Sequence, residues 1–205
     1  MDLATMRTTV RRDLHDEDAA NYRWTDDEID RHIDHAVADV SRAVPLQETA
    51  ALAIADDDVK EIDISGVTDR VSVDGVEYPI DEDPRRYRRF SLWGDTLTLL
   101  IDDEVTKDEV VNMYYGKKHT LNGSSSTLPV YLEDLVATGA AAYATREWAA
   151  YAINQANIGG TDVPDQFLDW AKERLAYYHQ ELKRQSRRSS VSVRQLYTDR
   201  DRTAS

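Results

Sequence analysis

Apolar positions over the first 45 residues recur every three or four places. Leu3, Met6, Val10 and Leu14 follow Asp2, a competent N-cap, so residues 3–14 read as a short amphipathic helix with Arg7, Arg11 and Arg12 on its outer face. A polar turn, His15 to Arg23, leads to Trp24-Thr25-Asp26-Asp27-Glu28. Thr25 and Glu28 make a capping box, and the two Asp residues suit the positive end of a helix dipole. Ile29, Ile33, Ala36, Val37, Val40 and Val44 then share one stripe, and Pro45 stops the helix.

From Thr49 to His119 the period changes to two. Val71 and Val73, then Asp74-Gly75, then Val76 and Tyr78 carry the signal of a type I′ hairpin. Further short strands are expected at Val59–Ile64, Arg89–Trp93, Thr96–Ile101 after Gly94-Asp95, and Glu109–Tyr115. Pro79, Pro84 and the run Asp81-Glu82-Asp83 mark loops or an edge. This block reads as one small antiparallel sheet of four to six strands.

Residues 121–127, Leu-Asn-Gly-Ser-Ser-Ser-Thr, read as a flexible connection, and Pro129 suits the first turn of a helix running to about residue 156. The middle of that helix, Ala137 to Ala144, has almost no bulk. Its small residues, with Gly139, Ala140 and Tyr143 as the candidate contact, belong either to the centre of the bundle or to a helix-against-helix subunit contact, although Ala is also simply a good helix former. Gly159-Gly160 ends the helix, and Thr161 or Asp162 with Pro164 begins the next. The buried stripe of this last helix is Phe167, Trp170, Ala171, Leu175, Tyr178 and Leu182. After Arg184 the pattern ends in a Ser- and Arg-rich tail, in which Val191 to Tyr197 has strand character. The expectation is an α+β chain, mainly α: a bundle of about four helices with a small antiparallel β insertion and an extended C-terminal tail. Residues 1–48 form an N-terminal helical pair, 49–120 the β insertion, 128–184 the helical pair that completes the bundle, and 185–205 the tail.

Charge changes this picture. The 205 residues hold 27 Asp and 12 Glu against 19 Arg and 6 Lys, a net charge of −14. Short carboxylates hold hydrated cations, and few Lys stems mean less exposed apolar area, a composition that resembles proteins of extreme halophiles; the alternative is an ordinary acidic protein. The basic residues concentrate late. Residues 183–205 carry +5, leaving −19 on residues 1–182, and a basic tail on an acidic body suits a partner that the body does not bind. No apolar run reaches the roughly 18 residues of a membrane-spanning helix. The opening residues lack the pattern of a secretory signal. Without cysteine there is neither a disulfide framework nor a thiolate metal site.

Catalytic patterns are missing: there is no G-x-S-x-G, no phosphate-cradling Gly-rich loop and no H-E-x-x-H. Ser124, Ser125 and Ser126 have no base placed to activate them and read as linker. His32, His35 and Asp39 lie within two turns of one helix but lack the further ligand zinc would want. Asp56–Asp58 and the run 102–104 lack the spacing and Gly of a calcium loop, and so read as acidic skin. No metal or other cofactor is expected, and no enzymatic activity. A helix-turn-helix reading meets Asp26, Asp27, Asp30 and Asp34 on the second helix, which would repel a phosphate backbone.

The opening, Leu3 to Leu14, then Tyr22-Arg-Trp-Thr-Asp-Asp-Glu-Ile29 leading into an Ala/Val helix with Arg42, resembles the amino terminus of head-to-tail connector (adaptor) proteins of tailed viruses. The order of helices, β insertion, helices and tail is similar to that family over nearly the whole chain. The resemblance implies a structural ring, commonly of twelve subunits, beneath the portal of the capsid, with a stopper or tail-tube protein on its other face and DNA passing through the channel without sequence-specific contact. It implies residence in the virion at the head-tail junction after assembly in the host cytoplasm. With the halophilic composition, the host is expected to be a salt-loving archaeon. By position in the tail, Arg187, Arg188, Val191, Val193, Arg194, Leu196 and Tyr197 are its candidate portal-binding residues. Two rivals are a DNA-binding ring of the small terminase kind and another junction protein such as a stopper.

Overall fold

The computed structural model describes residues 1–152 and 163–190. The chain divides into two compact units: residues 1–44 with 119–187, and a second built on Pro45–Lys118.

The helical unit opens with α1 (Leu3–Asp13), capped by the Asp2 side chain, which accepts from the Thr5 N–H at 2.8 Å. α2 (Asp26–Ala43) starts on the expected capping box: Glu28 N–H donates to the Thr25 hydroxyl, and the Glu28 carboxylate accepts from the Thr25 N–H. The return chain gives α3 (Val130–Ala152) and α4 (Val163–Ser190). Met6, Val10, Ile29, Ile33, Val40, Leu132, Val136, Ala140 and Tyr178 meet in one apolar core. The periodicity of the first two helices therefore points where the sequence places it.

In the second unit, β1 (Leu46–Ala53), β3 (Arg70–Glu77) and β6 (Val110–Lys117) form a sheet in the order β1-β6-β3. β2 (Glu61–Asp63), β4 (Phe90–Trp93) and β5 (Thr96–Leu99) form another in the order β2-β5-β4, and every pairing is antiparallel. Ile54, Ile62, Ile64, Val76, Leu97, Leu99, Val111 and Met113 make a core separate from that of the helices. The fold is thus α+β with sizeable sheet content, which overturns the expectation of a mainly α chain with one small sheet. The cause is the segment after Pro45. Leu46–Ala53 is rich in Ala and shows neither period, yet it pairs along its whole length with β6, where cross-strand partners override weak intrinsic preference.

Asp74-Gly75 is not a hairpin turn. β3 runs straight through it, with a register shift between Val73 and Gly75 opposite Tyr115 and Tyr114, so the extra residue is absorbed as a bulge. A type I′ turn needs positive φ at both residues, and neither has it. Gly94-Asp95 does reverse the chain between β4 and β5, with Gly94 at φ +58° as the first turn residue. Gly116 has a packing reason to lack a side chain: an added Cβ would stand 2.6 Å from both the Pro45 ring and the Ser72 hydroxyl.

The last helix also departs from expectation. α4 continues through Ser190, so residues 185–190 belong to a helix and not to an extended tail. Trp170 is 37% exposed instead of buried, its ring covered by the Arg174 guanidinium at 4.8 Å. Ala171, Leu175 and Tyr178 do face the core. Gly159, Gly160, Thr161 and Asp162 lie outside the described residues.

Candidate assembly surfaces and their chemistry

The small-residue stretch of α3 serves the inside of its own bundle. Tyr178 of α4 lies directly on Gly139, where a Cβ would come within 2.6 Å of its ring carbon Cζ. Its hydroxyl donates to the Ala36 carbonyl of α2 at 3.1 Å. Ala140 is fully buried, and Tyr143 stacks on His35 with ring centroids 4.1 Å apart while donating to Asp39 Oδ2 at 2.6 Å. Tyr143 and Tyr178 meet edge to face at 6.1 Å. Burial, and for Tyr143 the bond to Asp39, pushes both phenols well above their ordinary range. Gly139, Ala140 and Tyr143 therefore join three helices of one chain, and the close backbone approach that Gly permits admits an aromatic ring.

Two of the three arginines of α1 are not displayed either. Arg11 is buried and donates to Asp16 Oδ2 at 2.6 Å, the Trp24 carbonyl at 2.9 Å and Asp26 Oδ1 at 2.8 Å, with the Tyr22 ring 3.6 Å from its guanidinium carbon. Arg7 forms a two-toothed contact with Asp30, at 2.9 and 2.6 Å, and reaches Asp26 at 2.9 Å. The bond to Asp30 holds its guanidinium above the ordinary range, and the bond from Arg11 holds Asp26 below the usual carboxylate range. Asp26 and Asp30, two of the four acids of α2 that would repel a phosphate backbone, are thus internal partners of Arg7 and Arg11. Only Arg12 of the three, 3.5 Å from Glu17, stays exposed.

His32 and His35 part company. Buried His32 places Nε2 3.0 Å from a Glu147 carboxylate oxygen, without the alignment of a hydrogen bond, and desolvation holds the imidazole below its ordinary range. His35 is occupied by Tyr143. Among the described residues no three metal-ligating side chains converge. The serine run is a structured turn: Asn122 Oδ1 accepts from the Ser124 and Ser125 N–H groups at 3.0 and 2.8 Å, and Ser126 Oγ accepts from the Leu128 N–H at 3.1 Å ahead of α3. Of the acidic runs, Asp56 and Asp57 hold Lys107, and Asp103 holds Arg88.

Arg187 and Arg188 lie exposed on the last turns of α4, while Val191, Val193, Arg194, Leu196 and Tyr197 lie outside the described residues. Among the described residues no helix is long and apolar enough to cross a membrane. One surface escaped the sequence reading: the β4 edge with Trp93, 88% exposed at the hairpin tip. The signal was there, in the four arginines of Arg85-Arg86-Tyr87-Arg88-Arg89 inside an acidic stretch. Three of them are engaged, Arg85 with the Tyr114 hydroxyl, Arg86 with Glu82 and Arg88 with Asp103. Comparison with known protein families and with curated protein sequences finds no match to this chain.

Proposed function

We propose that the chain is a structural ring subunit at the head-to-tail junction of a tailed virus, of the connector (adaptor) kind, and that it has no catalytic role. The observation that carries this reading is the order of the elements. Helices from both ends of the chain form one helical unit, the β unit is inserted between them in the sequence, and the final helix leads into the basic terminal segment. The strongly acidic body adds to it, since like charge on a channel wall repels phosphate and lets DNA slide. In this reading the subunits form a ring, of twelve by the resemblance, with portal protein on one side and a stopper or tail-tube protein on the other. The terminal residues from Arg187 onward make the portal contact, and the particle comes from a virus of a halophilic archaeon.

Electron microscopy of the purified full chain in molar KCl tests the proposal directly: closed rings with a central channel are expected. A monomer under all salt conditions and with portal rings present would refute it. Gel-shift retardation of duplex DNA that survives about 1 M KCl, where counterion release contributes little, would point to the small terminase kind instead.

A further inference from the structure

The sheet β1-β6-β3 has one unguarded edge. Ile54 N–H donates to the Glu109 carbonyl at 2.9 Å, so by alternation Leu52, Ala50, Glu48 and Leu46 turn their backbone groups to β6. Those of Gln47, Thr49, Ala51 and Ala53 point away from it, and none has a hydrogen-bond partner among the described residues. Their side chains are exposed as well, and no other described strand or helix runs alongside β1. At both ends the chain turns to the β6 side: the Val44 carbonyl accepts from His119, and Asp58 N–H donates to the Val105 carbonyl. The edge is eight residues long, pairs with β6 without a bulge, and holds no Lys, no Pro and a single charge, Glu48. Natural sheets shorten, charge or cover such an edge. Elsewhere the β unit obeys that rule. β2 is three residues long and, because Leu99 N–H donates to the Lys60 carbonyl, leaves Glu61 and Asp63 outward. The outer side of β3 meets Arg88, whose N–H donates to the Val76 carbonyl at 2.8 Å.

We propose that β1 is the docking edge for a second copy of this chain, β1 against β1 and antiparallel about a twofold axis. Antiparallel pairing is the arrangement that keeps the core faces of both sheets, on which Ala50 and Leu52 pack, on one side. The register follows from the outward groups, which must lie directly opposite one another. With the axis at Ala50 all four find partners: Gln47 faces Ala53 of the second copy and Thr49 faces its Ala51, each pair exchanging both bonds. Moving the axis to Thr49 would set Ala53 against Pro45, which has no N–H to give. Charge selects the occupant. At −14 per chain two copies repel over most of their surface. In this register Glu48 lies opposite Leu52, and the two Glu48 side chains stay four residues apart, roughly 13 Å. A contact of backbone bonds and small neutral side chains also keeps its strength in molar salt, where ion pairs are screened. The pairing closes at two copies. It is independent of the ring reading, since a ring needs a head-to-tail contact.

The test uses the full chain, which has no native cysteine. At the axis the two Ala50 residues form a non-hydrogen-bonded pair with Cα atoms about 4.5 Å apart, within disulfide reach. Oxidation of Ala50→Cys in molar KCl should therefore give a covalent dimer. Gln47→Cys alone should give none, because its two copies lie roughly 20 Å apart, whereas a mixture of Gln47→Cys and Ala53→Cys should give the heterodimer. Adding Thr49→Pro to Ala50→Cys removes an outward donor and leaves the β6 ladder intact, so the cross-link should fall by about fivefold or more with unchanged circular dichroism. No dimer from a folded Ala50→Cys chain, equal yields from Gln47→Cys and Ala50→Cys, or a yield indifferent to Thr49→Pro overturns the proposal. Should Ala50→Cys fail to fold, the Gln47→Cys and Ala53→Cys mixture decides, and a mixture without heterodimer overturns the proposal. Rings without these cross-links would discard this contact alone, and cross-linked pairs without rings would discard the ring reading alone.

Discussion

At the residue scale, the most exacting position is Gly139. A methyl group there enters the Tyr178 ring, and neither α3 nor α4 can withdraw without opening the core, so Gly139→Ala should destabilise the helical unit by about 1–3 kcal/mol despite the better helix propensity of Ala. Urea unfolding followed by circular dichroism measures this, and a gain in stability would mean that the ring yields easily. Arg11 makes the complementary case. Arg11→Met leaves Asp16 buried beside an apolar chain, and breaking a buried pair in this way costs roughly 3–5 kcal/mol; adding Asp16→Leu should recover little of that loss, because the Asp16 carboxylate also accepts from the Arg23 and Trp24 N–H groups, which Leu would leave unpaired. His32 supplies a pH dependence. Its folded pKa lies below the unfolded value near 6.5, so its share of stability is complete above that pH and is lost as pH falls below it. Glu147, Arg31, His35 and Glu28 are the charged groups acting on it, with Glu147 opposing the shift. Melting temperature should therefore drop between pH 7 and 5.5, and less so in His32→Asn; equal slopes in the two proteins would assign the drop to other groups.

Elements show which signals survive without tertiary knowledge. The capping box at Thr25 and the stripe from Ile29 to Val44 are local, and both are found where the sequence puts them. Gly94-Asp95 also reads correctly, because a left-handed residue leaves the chain little choice but to turn; Gly94→Ala should weaken the β unit by about 1–2 kcal/mol in the same urea experiment. Asp74-Gly75 reads wrongly because both of its flanks find the same partner, β6, and nothing in the dipeptide records that. β1 is illegible for a similar reason: its strand character comes from its neighbour. The small-residue helix could be assigned to bundle or interface only once Tyr178 was seen on Gly139, a contact between residues far apart in the chain. Of the candidate surfaces, the outer face given to α1 was misplaced. Helical spacing says which residues share a face, and Arg11 shares the face that the turn at Asp16 and Trp24 folds over.

For the whole molecule, salt is the first control variable. With −19 on residues 1–182, the unfolding temperature should rise substantially from about 0.1 M to above about 2 M KCl, as the screening length falls from about 10 Å to 3 Å or less. The pairs of Arg7 and Arg11 are shielded from solvent and lose little over this range, so the gain comes from exposed carboxylates such as Asp81 and Asp83. A melting curve indifferent to KCl would leave the composition as that of an ordinary acidic protein. The junction between the units has a different kind of consequence. Leu46 and Lys117 are cross-strand partners, and immediately beyond them His119 Nε2 reaches the Val44 carbonyl at 2.9 Å while its N–H donates to Ser41 Oγ at 3.0 Å. Residues 45–118 thus leave and return through a single point. Closing a disordered loop of that length costs about 3 kcal/mol more than closing a two-residue turn, and a β unit that has already folded removes most of that difference. To the two helices it joins, the insert behaves as a tight bend. It is therefore a cassette that evolution or a designer can exchange for another of the same footprint without rewriting the bundle.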